Sequence, residues 1–288
     1  VDQIVYLNDE YLPLAEARIP VLDRGFIFGD GVYEVIPAYG RALFRLREHL
    51  ARLDYSLRAV RIANPLDTAG WTALLESVVA RNPWDDQSVY LQVTRGVAPR
   101  TQEFPKGNVR PTVFVMANPL KMPTAEQRAN GVAVVTRDDY RWRRCDIKSV
   151  SLLANCLLRQ EAEDVGAVET ILVRDGNVKE ASTCNVFLVK HGVILNPPKD
   201  NLILHGITFD LAIELARDAG IPLETREVGL AELYAADEVW LSSSAREVLP
   251  VTAVDGRRIG GGKPGPVYAR MYQLFQDYKA RSRARAHA

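Results

Sequence analysis

The sequence predicts an α/β fold of two domains, each of α+β character. Three observations carry that expectation. Its 288 residues fit roughly two domains of about 150. Strand-like runs and helical periods interchange along the chain, with no internal repeat and no low-complexity segment. Residues 118–123 (Asn-Pro-Leu-Lys-Met-Pro) put two prolines in a short stretch, which marks a linker. The expected division is a smaller N-terminal domain over 1–118, a linker over 119–123 and a larger C-terminal domain over 124–288 that carries Lys148.

Taken in order, residues 3–7 and the stretch after the Asn8-Asp9 turn read as paired strands. Residues 32–39 are rich in β-formers, and residues 42–46 after Gly40 close a further hairpin. Leu50, Leu53, Leu57 and Val60 recur at helical spacing over 47–63. Trp71, Leu74, Leu75 and Val78 do the same over 68–82. Strands over 88–96 and 111–117 complete the first domain. In the second, 132–136 reads as a strand and 150–165 as a helix with Leu153, Leu157 and Ala162 aligned. Residues 169–174 and 184–190 read as strands around the Asp175-Gly176 turn. Residues 208–219 form an amphipathic helix ended by Gly220. A buried strand over 238–242 and a helix over 267–281 close the chain.

Composition excludes several function classes. The chain is 47% hydrophobic and 25% charged, which is globular rather than disordered. Lys and Arg total 36 against 36 Asp and Glu, so no basic footprint for nucleic acid exists. No run approaches the roughly 20 apolar residues of a membrane span. Asp2, Asn8, Asp9 and Glu10 interrupt any signal-like apolar opening. Cys145, Cys156 and Cys184 are odd in number and not closely spaced. His49, His191, His205 and His287 are scattered. The expectation is a reducing, cytoplasmic compartment with no metal site. The last ten residues, with Lys279, Arg281, Arg283, Arg285 and His287, read as a frayed, solvated basic tail.

Candidate chemistry is spread over separate segments, each open to a plainer reading. In Leu202-Ile203-Leu204-His205-Gly206-Ile207-Thr208, an apolar run meets a glycine and a helix start. This is either an ordinary helix N-terminus or a phosphate cradle. Arg52 lies on a helix and is either solvated or an inward anion ligand. Lys148 follows Arg141, Arg143 and Arg144, and cationic surroundings with burial would free its amine for Schiff-base chemistry; the alternative is a surface lysine. Glu180, Ser182, Thr183, Cys184 and Asn185 crowd one short polar segment, either a turn or a site. Ser242, Ser243 and Ser244 end a strand where they could donate to an anion. Arg95 and Arg100 flank a Gly/Pro loop able to clamp a carboxylate. The glycines of Phe28-Gly29-Asp30-Gly31-Val32-Tyr33-Glu34 do not form a dinucleotide fingerprint.

The order of these segments is more specific than any one of them. Leu22-Asp23-Arg24-Gly25, Phe28-Gly29-Asp30-Gly31-Val32-Tyr33-Glu34, Glu48-His49-Leu50-Ala51-Arg52-Leu53, Arg144-Cys145-Asp146-Ile147-Lys148-Ser149, Glu180-Ala181-Ser182-Thr183-Cys184-Asn185-Val186-Phe187 and Gly206-Ile207-Thr208 together resemble the fold-type IV pyridoxal-phosphate aminotransferases. The resemblance runs over about residues 3–275 and is strongest to their D-amino-acid branch, through Val93-Thr94-Arg95-Gly96-Val97-Ala98-Pro99-Arg100 and the lysine segment. It implies a two-domain fold with pyridoxal 5′-phosphate between the lobes, passing through the pyridoxamine form in each half-reaction. It implies Lys148 as the Schiff-base lysine and Glu180 as the partner of the pyridine nitrogen. Arg52, Ser182, Thr183, Gly206, Ile207, Thr208, Ser243 and Ser244 would surround the coenzyme, mostly at its phosphate, and Leu204 would pack on the ring. Tyr33, Arg100 and Gln102 would meet the substrate carboxylate, with Arg100 reaching in from the second subunit of a homodimer. Substrates would be a D-amino acid and a 2-oxo acid. Two departures fall at the carboxylate end: Gln102 replaces the family's histidine, and Pro37 a lysine. A branched-chain L-amino-acid aminotransferase, an (R)-amine transaminase and an aminodeoxychorismate lyase are the rival activities.

Overall fold

A computed structural model describes residues 3–286, with side chains through residue 284. The described chain separates into two compact units. One holds the chain through Lys121 together with Ile147–Leu152. The other holds Met122–Asp146 and the chain from Leu153 onward.

In the first unit, β1 (Ile4–Leu7) and β2 (Glu10–Pro13) join through Asn8 and Asp9, both at positive φ (46° and 78°). Asn and Asp tolerate that conformation, so the turn follows from their identity. The short helix α1 (Arg24–Phe28) starts on the Asp23 carboxylate, which accepts the Gly25 amide, and stops at Gly29 with φ 65°. The strands β3 (Gly31–Tyr39), β4 (Ala42–Leu43), β5 (Gln87–Thr94) and β6 (Thr112–Pro119) complete an antiparallel sheet of order β2-β1-β6-β5-β3-β4. Two helices, α2 (Leu46–Ala59) and α3 (Thr68–Arg81), cover one face of it. Leu50, Leu53, Leu57, Trp71, Leu74, Leu75 and Val78 share a core with Val32, Ile36, Val89, Leu91 and Val115. Each such burial contributes about 1.5–3 kcal/mol. These helix residues are those the periodicity marks. Val60 lies one residue past the end of α2 and is only partly buried.

The segment Ile147–Leu152 pairs with the start of β3. Val32 and Ser149 form an antiparallel bridge, the Tyr33 amide donates to the Lys148 carbonyl (2.9 Å) and the Val150 amide to the Gly31 carbonyl (3.1 Å). Lys148 therefore groups with the first unit, whereas the sequence reading puts it in the second domain. Backbone pairing, and not chain order, decides which core a short segment joins. The same pairing holds residues 150–152 out of helix, so the helix expected over 150–165 is shorter.

The second unit opens with α4 (Ala125–Asn130), started by a reciprocal cap in which Thr124 accepts the Gln127 amide and the Gln127 side chain accepts the Thr124 amide. Then follow β7 (Val132–Asp138), α5 (Leu153–Glu163), β8 (Glu169–Arg174), β9 (Asn177–Ala181), β10 (Asn185–Lys190), β11 (Val193–Asn196) and α6 (Ile207–Asp218). The remainder is β12 (Leu223–Thr225), β13 (Val228–Gly229), α7 (Leu230–Tyr234), β14 (Glu238–Ser243), β15 (Glu247–Val254), β16 (Arg257–Arg258) and α8 (Pro266–Ala286). Their sheet runs β12-β11-β10-β14-β15-β7-β8-β9-β13, with β16 paired to β15.

Several expectations are corrected here. The Asp175-Gly176 turn joins β8 to β9, not to 184–190. The sequence reading passes over β9 because Asn177, Lys179 and Glu180 break its apolar run. On α5 the buried residues are Leu158 and Ala162, while Leu153 and Leu157 are exposed. The expected basic tail is helical through Ala286, and Lys279 donates to Glu247 Oε1 (2.6 Å). His287 and the side chain of Arg285 lie outside the described residues. Among those residues, no helix is long and apolar enough to cross a membrane, and no group of His, Cys, Asp and Glu is arranged to hold a metal ion.

Candidate active site

In the first unit, the side chains that matter follow from two periodicities. On β3, neighbours alternate faces, which separates Tyr33 from Glu34. On α2, His49, Arg52 and Ser56 stand at i, i+3 and i+7 and share a face. Arg52 donates through Nε to Glu34 Oε1 and through Nη2 to Glu34 Oε2, both at 2.8 Å, and His49 Nδ1 lies 2.8 Å from Glu34 Oε2. Ser56 Oγ accepts the Lys148 amide (3.2 Å). One helix face thus reaches both the buried carboxylate on β3 and the backbone of the lysine segment.

Glu34 is fully buried. Burial works against its charge, but Arg52 and His49 outweigh it and hold the carboxyl far below the usual carboxylate range. Burial also pushes His49 below its ordinary value against the pull of Glu34, with the charges of Arg52 and Lys148 adding to the effect. The Lys148 amine, on a half-buried side chain, lies 4.2 Å from the centre of the Tyr33 ring. Among the described residues no ion pair ties it down. The Tyr33 ring lies 5.7 Å from that of Tyr90, whose hydroxyl is pushed up to about 12 by burial.

Arg100 and Gln102 are exposed, on the loop between β5 and β6. The Arg100 guanidinium lies 5.5 Å from the Phe28 ring centre. No described contact joins either residue to Tyr33 or Lys148. Pro37 is buried on β3, paired with Ser88.

In the second unit, Glu180 on β9 accepts from Arg141 Nη1 (2.6 Å), the Leu204 amide (3.0 Å) and Asn185 Nδ2 (3.2 Å). Asn185 Nδ2 also donates to the Leu204 carbonyl (2.8 Å), so both polar backbone groups of Leu204 are held. Arg141 is itself gripped by both oxygens of Asp139 (2.9 and 3.0 Å). Burial pushes the Glu180 carboxyl above its ordinary value. Arg141 and the Leu204 amide pull it down without prevailing, because Arg141 shares its charge with Asp139, which also repels Glu180. Arg144 likewise pairs with Asp146. Two of the three arginines that the sequence sets near Lys148, Arg141 and Arg144, are therefore engaged by carboxylates.

Gly206 precedes α6, which has no side-chain cap. A Cβ at Gly206 would come within 2.1 Å of Asn185 Oδ1, so the close approach requires glycine. Ile207 and Thr208 are buried in the first turn, where helix amides lack intrahelical acceptors. The hydroxyls of Ser182 and Thr183 donate to the buried Glu169, which also accepts from Arg246 Nη1 (3.0 Å) and the Thr170 amide (3.0 Å). Ser243 Oγ accepts the Arg246 amide (3.2 Å), and Ser244 follows it, half-buried. Ser242 Oγ is buried with no hydrogen-bond partner among the described residues.

These features suit a phosphorylated pyridine. The uncapped start of α6 and the orphaned Ser242 hydroxyl lack an acceptor, and Glu180 is a buried carboxylate short of positive charge. Sequence reasoning gives Glu34 no role, names Arg141 only as a charge near Lys148 and Asn185 only as part of a polar segment, and offers Ser242 as one of three hydroxyls able to meet an anion. The i, i+3 pair His49 and Arg52 beside a buried strand acid is the available signal for Glu34. Arg141 and Asn185 carry none, since their partners are distant in sequence.

The amino-transferase class IV family matches residues 31–254. The D-alanine aminotransferase of Bacillus licheniformis is 41% identical over 95% of this chain and 96% of its own length. That of Staphylococcus haemolyticus is 36% identical over 95% and 97%. Among solved structures, the branched-chain amino acid aminotransferase of Escherichia coli superposes with a TM-score of 0.89 at 27% identity, covering 96% of this chain and 94% of that one. The branched-chain amino acid aminotransferase of T.th. with pyridoxamine 5′-phosphate gives 0.88 at 29%, with the same coverage.

Proposed function

The chain belongs to the amino-transferase class IV family, and we propose that it exchanges amino groups between a D-amino acid, D-alanine foremost, and a 2-oxo acid such as 2-oxoglutarate. The observation that carries this reading is the full-length likeness to D-alanine aminotransferases, closer in sequence than the likeness to the branched-chain enzymes. The architecture is that of fold-type IV, and enzymes of this class use pyridoxal 5′-phosphate. That coenzyme, when bound, supplies an aldehyde for the amino group and a ring that acts as electron sink.

Within this reading, Lys148 Nζ would hold the coenzyme at rest and, once displaced by the substrate amine, would serve as the base at the substrate Cα. Its freedom from ion pairs leaves the amine available for both tasks. Glu180 holds a proton at the pyridine nitrogen. Its proton affinity, raised by burial, suits a cationic N–H donor. Leu204, pinned through both backbone groups, would lie against the ring. Arg52, the Ile207 and Thr208 amides, the Thr208 hydroxyl and the Ser243-Ser244 turn would hold the phosphate. Ser182 and Thr183 shape their turn through Glu169. Tyr33, Arg100 and Gln102 take the substrate carboxylate, and the neutral Gln102 keeps a donor but brings no charge.

The assembly in this reading is a homodimer. Exposed apolar side chains such as Val21 and Phe26 support it, since a partner subunit would take them out of water. The three unpaired cysteines suit a reducing, cytoplasmic setting. We take the two compact units as the two domains.

A panel of D- and L-amino acids with 2-oxoglutarate tests the activity, and D-alanine is expected to yield pyruvate. Turnover of L-leucine or L-isoleucine with no D-amino acid accepted would move the assignment to the branched-chain enzymes that its fold also matches. Lys148→Ala is expected to lose the visible coenzyme band and nearly all turnover. Full activity in that variant would end the reading.

A further inference from the structure

The loop between β5 and β6 carries Arg100 and Gln102, yet over residues 98–111 it contains neither helix nor strand. Beside the local bond from the Thr101 amide to the Pro99 carbonyl (2.8 Å) and that from the Ala98 amide to the Leu22 carbonyl (3.3 Å), two successive loop carbonyls are held by the side chain of Arg24. Only 3% of Arg24 is exposed. Its Nη1 donates to the Thr101 carbonyl (2.6 Å) and its Nη2 to the Gln102 carbonyl (3.5 Å), the two residues directly after Arg100. Its Nε donates to Asp30 Oδ2 (2.8 Å). The Phe28 ring has Arg24 on it at 4.7 Å and Arg100 at 5.5 Å. Further along, Arg95 grips Asp30 through two bonds (2.7 and 2.9 Å) and lies 3.7 Å from the Phe104 ring centre.

One guanidinium thus fixes two successive loop carbonyls while its charge is balanced by Asp30. Only a planar fork with several donors can do both at once. Asp30 keeps Arg95 whatever stands at position 24, so the ion pair beneath the loop does not depend on Arg24 alone.

We propose that Arg24 is a positioning residue for substrate recognition: it sets the loop that presents Arg100, and so sets how tightly the enzyme grips the α-carboxylate of amino and 2-oxo acids. This rests on the reading of Arg100 as a carboxylate ligand. The consequence is specific. Loss of Arg24 weakens substrate binding through Arg100 and leaves the coenzyme untouched.

The test is a double-mutant cycle on the holoenzyme with D-alanine and 2-oxoglutarate. R24A, R24K, R100A and R24A/R100A are compared by KM, kcat and coenzyme affinity. R24A is expected to raise both KM values about tenfold, with kcat and coenzyme affinity within about twofold of wild type. R24K keeps the charge beside Asp30 but not the forked grip, and is expected to behave alike. Adding R24A to R100A is expected to change KM by less than about twofold, since the effect passes through Arg100. Independent multiplication of the two effects, an unchanged KM in R24A, or an equal loss of coenzyme affinity would each overturn the proposal. Should R24A fail to fold, R24K and R24K/R100A complete the same cycle. An unchanged KM in R100A would instead sink the reading of Arg100, and this inference with it. A raised KM in R100A beside an unchanged one in R24A would sink this inference alone.

Discussion

Glu34 in the first unit and Glu180 in the second are both buried carboxylates bonded to an arginine, yet their proton affinities move in opposite directions. Distance does not explain it, because the Arg141 contact to Glu180 (2.6 Å) is shorter than the Arg52 contacts to Glu34 (2.8 Å). The arginine's other commitments explain it. Arg52 meets Glu34 through two nitrogens, with His49 adding a third donor. Arg141 gives Glu180 one nitrogen and gives Asp139 two contacts. Desolvation is met in full at Glu34 and in part at Glu180. Glu34 is thus a finished ion pair that orients Arg52, and Glu180 keeps room for one more positive partner.

Removing the shared arginine should separate the two sites most. Arg141→Ala leaves Glu180 and Asp139 facing each other, with Arg174 still on Asp139, and is expected to cost about 3–5 kcal/mol, measured by urea unfolding of coenzyme-free protein. Arg52→Ala is expected to cost less, because it strips one buried carboxylate of its arginine instead of two, and Glu34 keeps His49. Equal losses would break the comparison.

The pH dependence sharpens it. Glu34 has a lowered carboxyl, so its contribution is complete above the ordinary carboxylate range of about 4 and is lost as pH falls toward the folded value. Glu34→Gln should flatten the acid limb of the stability curve. Glu180 has a raised carboxyl, so the folded chain keeps a proton that the unfolded chain loses, and stability falls as pH climbs from the ordinary carboxylate range toward the folded value. Glu180→Gln should remove that fall. Urea midpoints across a pH series read both slopes, and slopes of the same sign would refute the contrast.

The smallest effect is expected at Ser242. Its hydroxyl has no partner, so Ser242→Ala should leave coenzyme-free stability within about 1 kcal/mol, or raise it. Coenzyme affinity should weaken, and an unchanged affinity would remove Ser242 from the phosphate end.

The elements most legible in the sequence are those whose signal is local. The apolar spacing of α2 and α3 names their buried faces, and Gly220 names the end of α6. Asn8-Asp9 and Asp175-Gly176 name turns. What misleads is any feature that a distant partner settles. β9 escapes notice because Lys179 and Glu180 are polar, and their burial is offset by Glu227, Arg141 and Leu204 from elsewhere in the chain. The face of α5 is misread because Leu153 and Leu157 have the right spacing but lie exposed.

By itself, then, the order of residues determined the family and the coenzyme that goes with it, and marked candidate segments for that coenzyme, because residue types at fixed spacing are a property of the chain. Only the tertiary structure decided that Lys148 joins the unit of β3, that Glu34 completes Arg52, that Arg141 divides its charge, and that Ser182 and Thr183 turn to Glu169. Each of those depends on a bond between groups far apart in sequence, and the strength of a buried charge depends on everything that shares it.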